Sequence, residues 1–150
     1  MLYVLIIVLL VIDQLSKYEI KNILQLGESI SIIPNVFNLT YIQNRGAAFG
    51  FMQNKQIIFV IIAIIMFGIG IYCIQQKKYN KMEKFSISLI VAGACGNALD
   101  RIFNGYVTDF IDFRFIWKYI FNIADIYIVV GVIIFIIANI KKEYDIKNKN

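Results

Sequence analysis

Residues 57–74 read IIFVIIAIIMFGIGIYCI, an unbroken run of eighteen apolar residues. A helix needs about 20 such residues to cross the roughly 30 Å hydrocarbon core of a bilayer, so this run predicts a membrane-spanning helix. Three further largely apolar segments, at about 2–23, 85–101 and 123–140, have a helical pattern of similar length. The sequence therefore predicts an all-α membrane protein with four transmembrane helices.

The composition of the whole chain agrees with this fold class. Of its 150 residues, 59% are hydrophobic and 17% are charged, and the mean hydropathy is +0.69, which excludes a soluble globular domain. The sequence contains no histidine, which excludes Ser-His and Cys-His nucleophiles and zinc sites of the HExxH type. We predict a single integral membrane domain over residues 1–150, whose first helix is retained and not removed as a signal peptide.

Lysines are concentrated at two places along the chain. Residues 75–84 and residues 141–150 each contain four lysines. Because cytoplasmic segments beside transmembrane helices carry an excess of Lys and Arg, both segments and both chain termini are predicted to be cytoplasmic. The net charge of +5 is thus explained by topology, and we expect no nucleic-acid partner.

The other two connections, at about 24–55 and 102–122, are then predicted to lie on the extracytoplasmic side. The first shows partial alternation of apolar and polar residues, with turn residues at Gly27 and Pro34, which predicts a small β-element. The second is rich in aromatic residues, including Trp117, which predicts a loop or helix along the outer membrane interface.

Ionisable side chains within or at the ends of the predicted spans form the most informative pattern. At a rise of about 1.5 Å per residue, they fall in the outer half of the bilayer; they are Asp13, Asp100, Arg101 and Asp125. Asn97 and Asn122 lie three residues before two of these aspartates, and Asp109 follows Arg101 by eight residues. Because intramembrane charges are costly, we expect one functional polar cluster near the outer surface.

Each of these charges also has a structural interpretation. Asp13 is compatible with an interfacial residue, or with a fold-supporting ion pair to Lys17, one helical turn further on. Asp100 and Arg101 are compatible with a structural pair, and Asp125 with a cap at the start of the last helix.

Five segments, taken together, resemble the successive motifs of the bacterial type II signal peptidases, also called lipoprotein signal peptidases. They are DQLSK at residues 13–17, NRGAAFG at 44–50, GNALDR at 96–101, VTDF at 107–110 and FNIAD at 121–125. Their order and spacing agree with that family over nearly the whole chain, and five motifs in register are far more specific than any one alone.

This resemblance implies an aspartic endopeptidase of the bacterial cytoplasmic membrane, with its active site facing the extracytoplasmic side. It implies cleavage of prolipoproteins on the amino side of a diacylglyceryl-modified cysteine, and inhibition by globomycin-like peptides. It implies that Asp109 and Asp125 are catalytic, and that the residues around them support the pair or contact substrate: Asp13, Lys17, Asn44, Gly46, Asn97, Asp100, Arg101 and Asn122. We expect no cofactor or metal, and a monomer among membrane lipids.

The chemistry of two carboxylates suits such a reaction without histidine. One ionised carboxylate accepts a proton from water, while a neutral one protonates the scissile carbonyl oxygen. Asp100 and Asp109 are both candidates to partner Asp125. Asp109, next to Phe110, is expected to have a raised pKa, whereas Asp100 next to Arg101 is expected to stay ionised in a structural role.

Two other functions use the same carboxylates. A metal-dependent membrane hydrolase would use Asp100, Asp109 and Asp125 as oxygen ligands. A small proton-coupled transporter would also need intramembrane carboxylates, although four spans without a repeated half make a poor pathway.

Overall fold

A computed structural model describes residues 1–46, 55–114 and 119–148. The chain forms, in order, α1 (Leu2–Ile23), β1 (Ser29–Ile33), β2 (Phe37–Asn44), α2 (Gln56–Gln75), α3 (Lys81–Asn104), β3 (Val107–Asp112) and α4 (Ile123–Lys147). The fold is mostly helical, and the predicted β-element is confirmed by β1 and β2.

Three of the four helices, α2, α3 and α4, are long and apolar enough to cross a membrane within the described ranges. α1 contains four charged residues, of which Asp13 and Lys17 are buried. The outer surfaces of the helices are lined by exposed isoleucines, valines and phenylalanines. Such a surface is typical of helices in contact with lipid.

α3 is the central helix, because it contacts α1, α2 and α4. It buries polar residues as well as apolar ones, including Ser86, Ser88, Asn97 and Asp100. Close approach of the neighbouring helices depends on glycine. A Cβ atom added to Gly93 would overlap the backbone carbonyl of Ala124 on α4.

The ends of α3 are set by local chemistry. Asn80 and Glu83 form a capping box in which each side chain accepts a hydrogen bond from the other residue's backbone N–H, so the helix begins before the predicted residue 85. It ends at Gly105, whose φ of 73° is left-handed backbone that glycine adopts without strain. α4 likewise continues past residue 140 to Lys147, because the polar residues that follow the apolar run are good helix formers.

The predicted interfacial loop or helix at residues 102–122 is wrong in part. Val107–Asp112 form β3, which pairs antiparallel with β2 and completes a three-stranded sheet of order β1-β2-β3. All six residues of β3 are buried. Tertiary packing therefore determines this strand. The aromatic residues Phe115 and Trp117 lie outside the described residues.

The sheet is tied to the helices by apolar packing. Tyr41 of β2 and Phe110 and Ile111 of β3 pack with Ile20 and Leu24 at the end of α1. The backbone of Phe121, just before α4, also pairs with Ile111. Strand β3 is consequently held between the ends of three helices, beside the polar residues of α3.

Gly96 on α3 lies close against Asp13 of α1, and a Cβ atom there would overlap the Asp13 carboxylate. We expect Gly96→Ala to displace Asp13 and to destabilise the protein by about 1–3 kcal/mol. The measurement is the midpoint of thermal unfolding in detergent. Gly68→Ala on α2 is the matched control, because within the described ranges no atom beyond its own stretch of helix lies within 4 Å of its added Cβ. Equal unfolding midpoints for the two variants would contradict the prediction.

Candidate active site

The Lys17 ammonium group lies at the base of the polar cluster and is only 1% exposed. Its Nζ lies 2.9 Å from Asp13 Oδ2 and 3.3 Å from Asp100 Oδ2, and donates a hydrogen bond of 3.1 Å to Asn97 Oδ1. The predicted pair of Asp13 and Lys17 is confirmed. The same ammonium also connects α1 to α3 at two points.

Asp13 extends this connection to the start of α4. Its Oδ1 accepts a hydrogen bond of 3.0 Å from the backbone N–H of Ala124, and its Oδ2 accepts one of 3.0 Å from Gln14. Asp13 is fully buried, so it is not the interfacial residue that the sequence left open. A backbone N–H leaves no signal in a sequence, and the contact with Ala124 was not predictable.

Asp100 is held by partners other than the predicted one. Its Oδ2 accepts a hydrogen bond of 2.9 Å from the backbone N–H of Thr108, at the start of β3, and its Oδ1 accepts one of 3.1 Å from Asn104. Together with Lys17, these contacts fix the connection between α3 and β3. The predicted pair of Asp100 and Arg101 is wrong, because adjacent side chains on a helix point in different directions.

Arg101 is directed toward the first outer segment. Its two terminal nitrogens donate hydrogen bonds of 3.3 Å to the carbonyl oxygens of Asn97 and Gly46, and its guanidinium carbon lies 4.5 Å from the centre of the Phe59 ring. Gly46 in turn donates its N–H to Asn44 Oδ1 at 3.0 Å. Arg101 therefore fixes the chain at the end of β2 against α2 and α3. The rest of the NRGAAFG motif, residues 47–50, lies outside the described part of the chain.

Two asparagines connect the candidate catalytic carboxylates. Asn122 Nδ2 donates hydrogen bonds of 2.6 Å to Asp109 Oδ1 and 3.1 Å to Asn97 Oδ1. Asn97 Nδ2 donates one of 2.7 Å to Asp125 Oδ1. The amide groups thus form a continuous chain of hydrogen bonds from Asp109 to Asp125. Lys17 contacts this chain at Asn97 Oδ1.

Asp109 is 2% exposed and lies on β3. Its Oδ2 accepts a hydrogen bond of 2.8 Å from Asn44 on β2, so each of its oxygens is held by an asparagine. Burial, and then the negative charge of Asp125, raise the pKa of Asp109 to about 7. The predicted upward direction is confirmed. At neutral pH this carboxyl group can therefore hold a proton.

Asp125 lies in the first turn of α4 and is less buried than Asp109. Its Oδ2 accepts a hydrogen bond of 3.2 Å from the backbone N–H of Asn122, and its own N–H donates one of 3.1 Å to Asn122 Oδ1. The N-cap of α4 is thus Asn122, with Asp125 as the N3 residue of a capping box, so the interpretation of Asp125 as a cap residue is confirmed only in part. The Asn97 contact to its other oxygen shows that capping is not its only interaction.

All ten residues singled out from the sequence lie within the described ranges, and hydrogen bonds or ion pairs between them join all ten. Within that part of the chain, Arg101 is held by hydrogen bonds to backbone carbonyl oxygens alone, those of Asn97 and Gly46. Thr108 and Gln14, which bond to Asp100 and Asp13 respectively, are additional contacts that the motif pattern did not single out. No group of three or more His, Cys, Asp or Glu residues in the described ranges is arranged to hold a metal ion.

The family model for signal peptidase II matches residues 5–141. The chain belongs to the signal peptidase II family. The lipoprotein signal peptidase of Clostridioides difficile (strain 630) is 50% identical over 134 residues, which cover 89% of this chain and 90% of that relative. The lipoprotein signal peptidase of Fusobacterium nucleatum is 44% identical over 143 residues, which cover 93% of this chain and 87% of that relative.

Solved structures support the fold as well. A bacterial membrane enzyme solved at 2.3 Å resolution has a TM-score of 0.88 at 39% identity, with 99% of this chain and 91% of that chain covered. A second, at 1.9 Å, has a TM-score of 0.84 at 38% identity and covers 93% and 92% of the two chains. The predicted resemblance and enzyme class are confirmed: the chain is a peptidase of this membrane family, and no finding supports a metal-dependent hydrolase or a transporter.

Proposed function

We propose that the protein removes signal peptides from prolipoproteins by means of a catalytic pair formed by Asp109 and Asp125. Family membership supports the reaction. The single observation that carries the residue assignment is that Asn122 bonds to both carboxyl groups, to Asp109 through its side chain and to Asp125 through its backbone N–H. Asn122 thus holds both carboxyl groups, one with its side chain and the other with its backbone.

In the proposed mechanism the two acids differ in protonation. Asp109, with its raised pKa of about 7, holds the proton and donates it to the scissile carbonyl oxygen. Asp125, which is the more exposed of the two, accepts a proton from the attacking water and returns it to the leaving amine as the C–N bond breaks. Asp109 recovers its proton from a hydroxyl group of the tetrahedral intermediate as the new carboxyl group forms. Proton sharing between adjacent carboxylates supplies both acid and base without histidine. The titration belongs to the pair as a whole.

The other polar residues are assigned positioning roles. Asn44 and Asn122 hold the two oxygens of Asp109, and Asn97 holds Asp125. Lys17 fixes Asn97 in turn, because its ammonium group donates a hydrogen bond to the side-chain amide oxygen of Asn97. Each carboxyl group is therefore oriented before substrate arrives, which lowers the cost of reaching the reactive geometry.

The proposed substrate is a prolipoprotein that carries a diacylglyceryl-modified cysteine, cleaved on the amino side of that cysteine. Asp109 and Asp125 lie where the last turns of α3, the sheet and the first turn of α4 meet. A lipid anchor would hold the scissile bond near this level of the membrane, which raises its effective concentration at the site. A globomycin-like peptide would occupy the same place as the substrate. We also propose that the enzyme acts as a monomer.

We also propose that α1 is a fourth membrane span, with the active site on the extracytoplasmic side of the bacterial cytoplasmic membrane. The charges that distinguish α1 from the other helices are partly neutralised, since Lys17 and Asp13 are buried against each other. The lysine-rich segment before α3 and the one at the end of α4 lie at the opposite end of these helices from the two aspartates. By the positive-inside rule, these lysines are cytoplasmic.

This topology is tested with reporters. A reporter that works only in the cytoplasm should be active when it is fused after Lys142. A reporter that works only outside the membrane should be active when it is inserted near Gln53, because the lysine-rich segments remain inside. Paired reporters of cytoplasmic and exported type at each position are the control. An inverted result at either position would overturn the proposed side of the active site.

The catalytic assignment is tested by conservative substitutions. We expect Asp109→Asn and Asp125→Asn each to reduce cleavage of a lipid-modified prolipoprotein at least about 10³-fold, because each removes one member of the proton-sharing pair. The purified variants should still unfold cooperatively and should still be stabilised by globomycin. The unmodified precursor serves as the substrate control and should not be cleaved.

Two further variants separate catalysis from support. Asp112→Asn is the same change three residues along β3, on a side chain that bonds to Thr40 and Arg114, and it should keep most of the activity. Asp100→Asn should mainly lower the unfolding midpoint, because it removes a partner of buried Lys17. If folded Asp109→Asn cleaves at nearly the parent rate while folded Asp100→Asn is inactive, the pair is Asp100 with Asp125.

The pH dependence of kcat/KM provides an independent test. Because the protonated form of Asp109 is needed and its pKa is about 7, activity should fall as the pH rises through that value. The hydrogen bond from Asn44 lowers this pKa, so Asn44→Ala should move the alkaline decline to higher pH. A profile that stays flat to pH 9, or a decline that moves to lower pH in the variant, would contradict the assignment.

A further inference from the structure

A cavity of about 610 Å³ lies between the start of α3 and the last turns of α4. Lys81 lines it, and Asp100 lies nineteen residues further along the same helix, which corresponds to about 28 Å. The cavity therefore lies at the opposite end of α3 from the candidate active site. Its volume is within the range of ligand-binding pockets, roughly 300–1,000 Å³.

The charged side chains that line the cavity are mostly cationic. Three lysines, Lys81, Lys141 and Lys142, face a single acid, Asp145. Lys142 is already bound to Glu83 behind it, at 3.2 Å. Among the residues that the structure describes, Lys81 and Lys141 have no carboxylate within ion-pair distance. Two unpaired ammonium groups at one cavity favour an anionic ligand.

The rest of the lining is apolar. Met82, Ala138 and Ile146 contribute to the walls, and Met82 is 41% exposed. The neighbouring surface of α4 is apolar too, because Ile137, which is half exposed, lies one helical turn before Lys141 on the same face. The cavity thus continues directly onto a helix surface of the kind that hydrocarbon chains cover. A ligand that fits both parts has an anionic group and an apolar chain.

We propose that this cavity binds an anionic phospholipid. Its headgroup phosphate would lie beside Lys81 and Lys141, and an acyl chain would follow Met82 and the apolar surface of α4. Lysine is a suitable ligand for a phosphate that must be attracted without fixed bidentate geometry. A freely soluble phosphate would use the lysines but leave the apolar walls uncovered. This inference depends on α3 and α4 spanning the membrane, and it is independent of the catalytic assignment.

The test is lipid-dependent stabilisation of the purified full-length protein in a nonionic detergent. Phosphatidylglycerol is added to the micelles, with phosphatidylcholine of the same acyl chains as the neutral lipid. Inorganic phosphate and glycerol 3-phosphate are the soluble anions. The variant Lys81→Gln/Lys141→Gln removes the unpaired charges. Lys77→Gln/Lys147→Gln is the matched control, because it removes the same charge from lysines outside the cavity.

We expect phosphatidylglycerol, but not phosphatidylcholine or either soluble anion, to raise the unfolding midpoint of the parent and the control. Lys81→Gln/Lys141→Gln should need at least about fivefold more phosphatidylglycerol for the same shift. Lys81→Arg/Lys141→Arg should restore the response. Basal cleavage without added lipid should be unchanged in all variants, because the cavity is remote from Asp109.

Three results would overturn the proposal. An unchanged response of Lys81→Gln/Lys141→Gln would show that the cavity lysines do not bind the lipid. An equal loss in Lys77→Gln/Lys147→Gln would indicate diffuse attraction to the basic surface, without a site. Equal stabilisation by glycerol 3-phosphate would show a site for soluble phosphate. If Lys81→Gln/Lys141→Gln does not fold, Lys141→Gln alone gives the same comparison.

Discussion

The buried ammonium group of Lys17 is the interaction on which the polar centre of this fold depends. Burying an unpaired charge in the interior of a protein costs on the order of several kcal/mol. Here the ammonium group contacts the carboxylates of Asp13 and Asp100 and the side-chain amide oxygen of Asn97. Removing the lysine would leave two buried carboxylates uncompensated, which is more costly than removing one carboxylate, because the other would still pair with the ammonium group. The pairing therefore requires α1 and α3 to be correctly docked.

From this anchor the contacts extend through two asparagines to the two candidate catalytic aspartates. Asn97 orients Asp125, and Asn122 relates Asp125 to Asp109. Buried polar groups joined in a network of hydrogen bonds favour one arrangement. The groups proposed to react, at the end of this series, are therefore placed by residues that do not themselves need to contact substrate.

Much of the fold and site was predictable from the sequence, and the reason is physical. The cost of charge in a span makes Asp13, Asp100 and Asp125 conspicuous, and helical spacing alone predicts the pair of Asp13 and Lys17. The residues that the sequence did not place depend on tertiary contacts. β3 lies in an aromatic segment without clear alternation, and it forms a strand because β2 and the helix ends surround it. The wrong pairing of Arg101 with Asp100 came from adjacency in sequence, which does not bring side chains together on a helix.

Asn122 caps α4 and also holds Asp109, so winding of the first turn of α4 and assembly of the proposed acid pair are one event. If that turn unwinds, Asp109 loses the donor to one oxygen while Asp125 loses its backbone partner. A newly inserted chain in which α4 has not yet docked would therefore be without peptidase activity. Peptidase activity would therefore appear at the same moment as α4 docks. An immature chain would be inactive without any inhibitory segment.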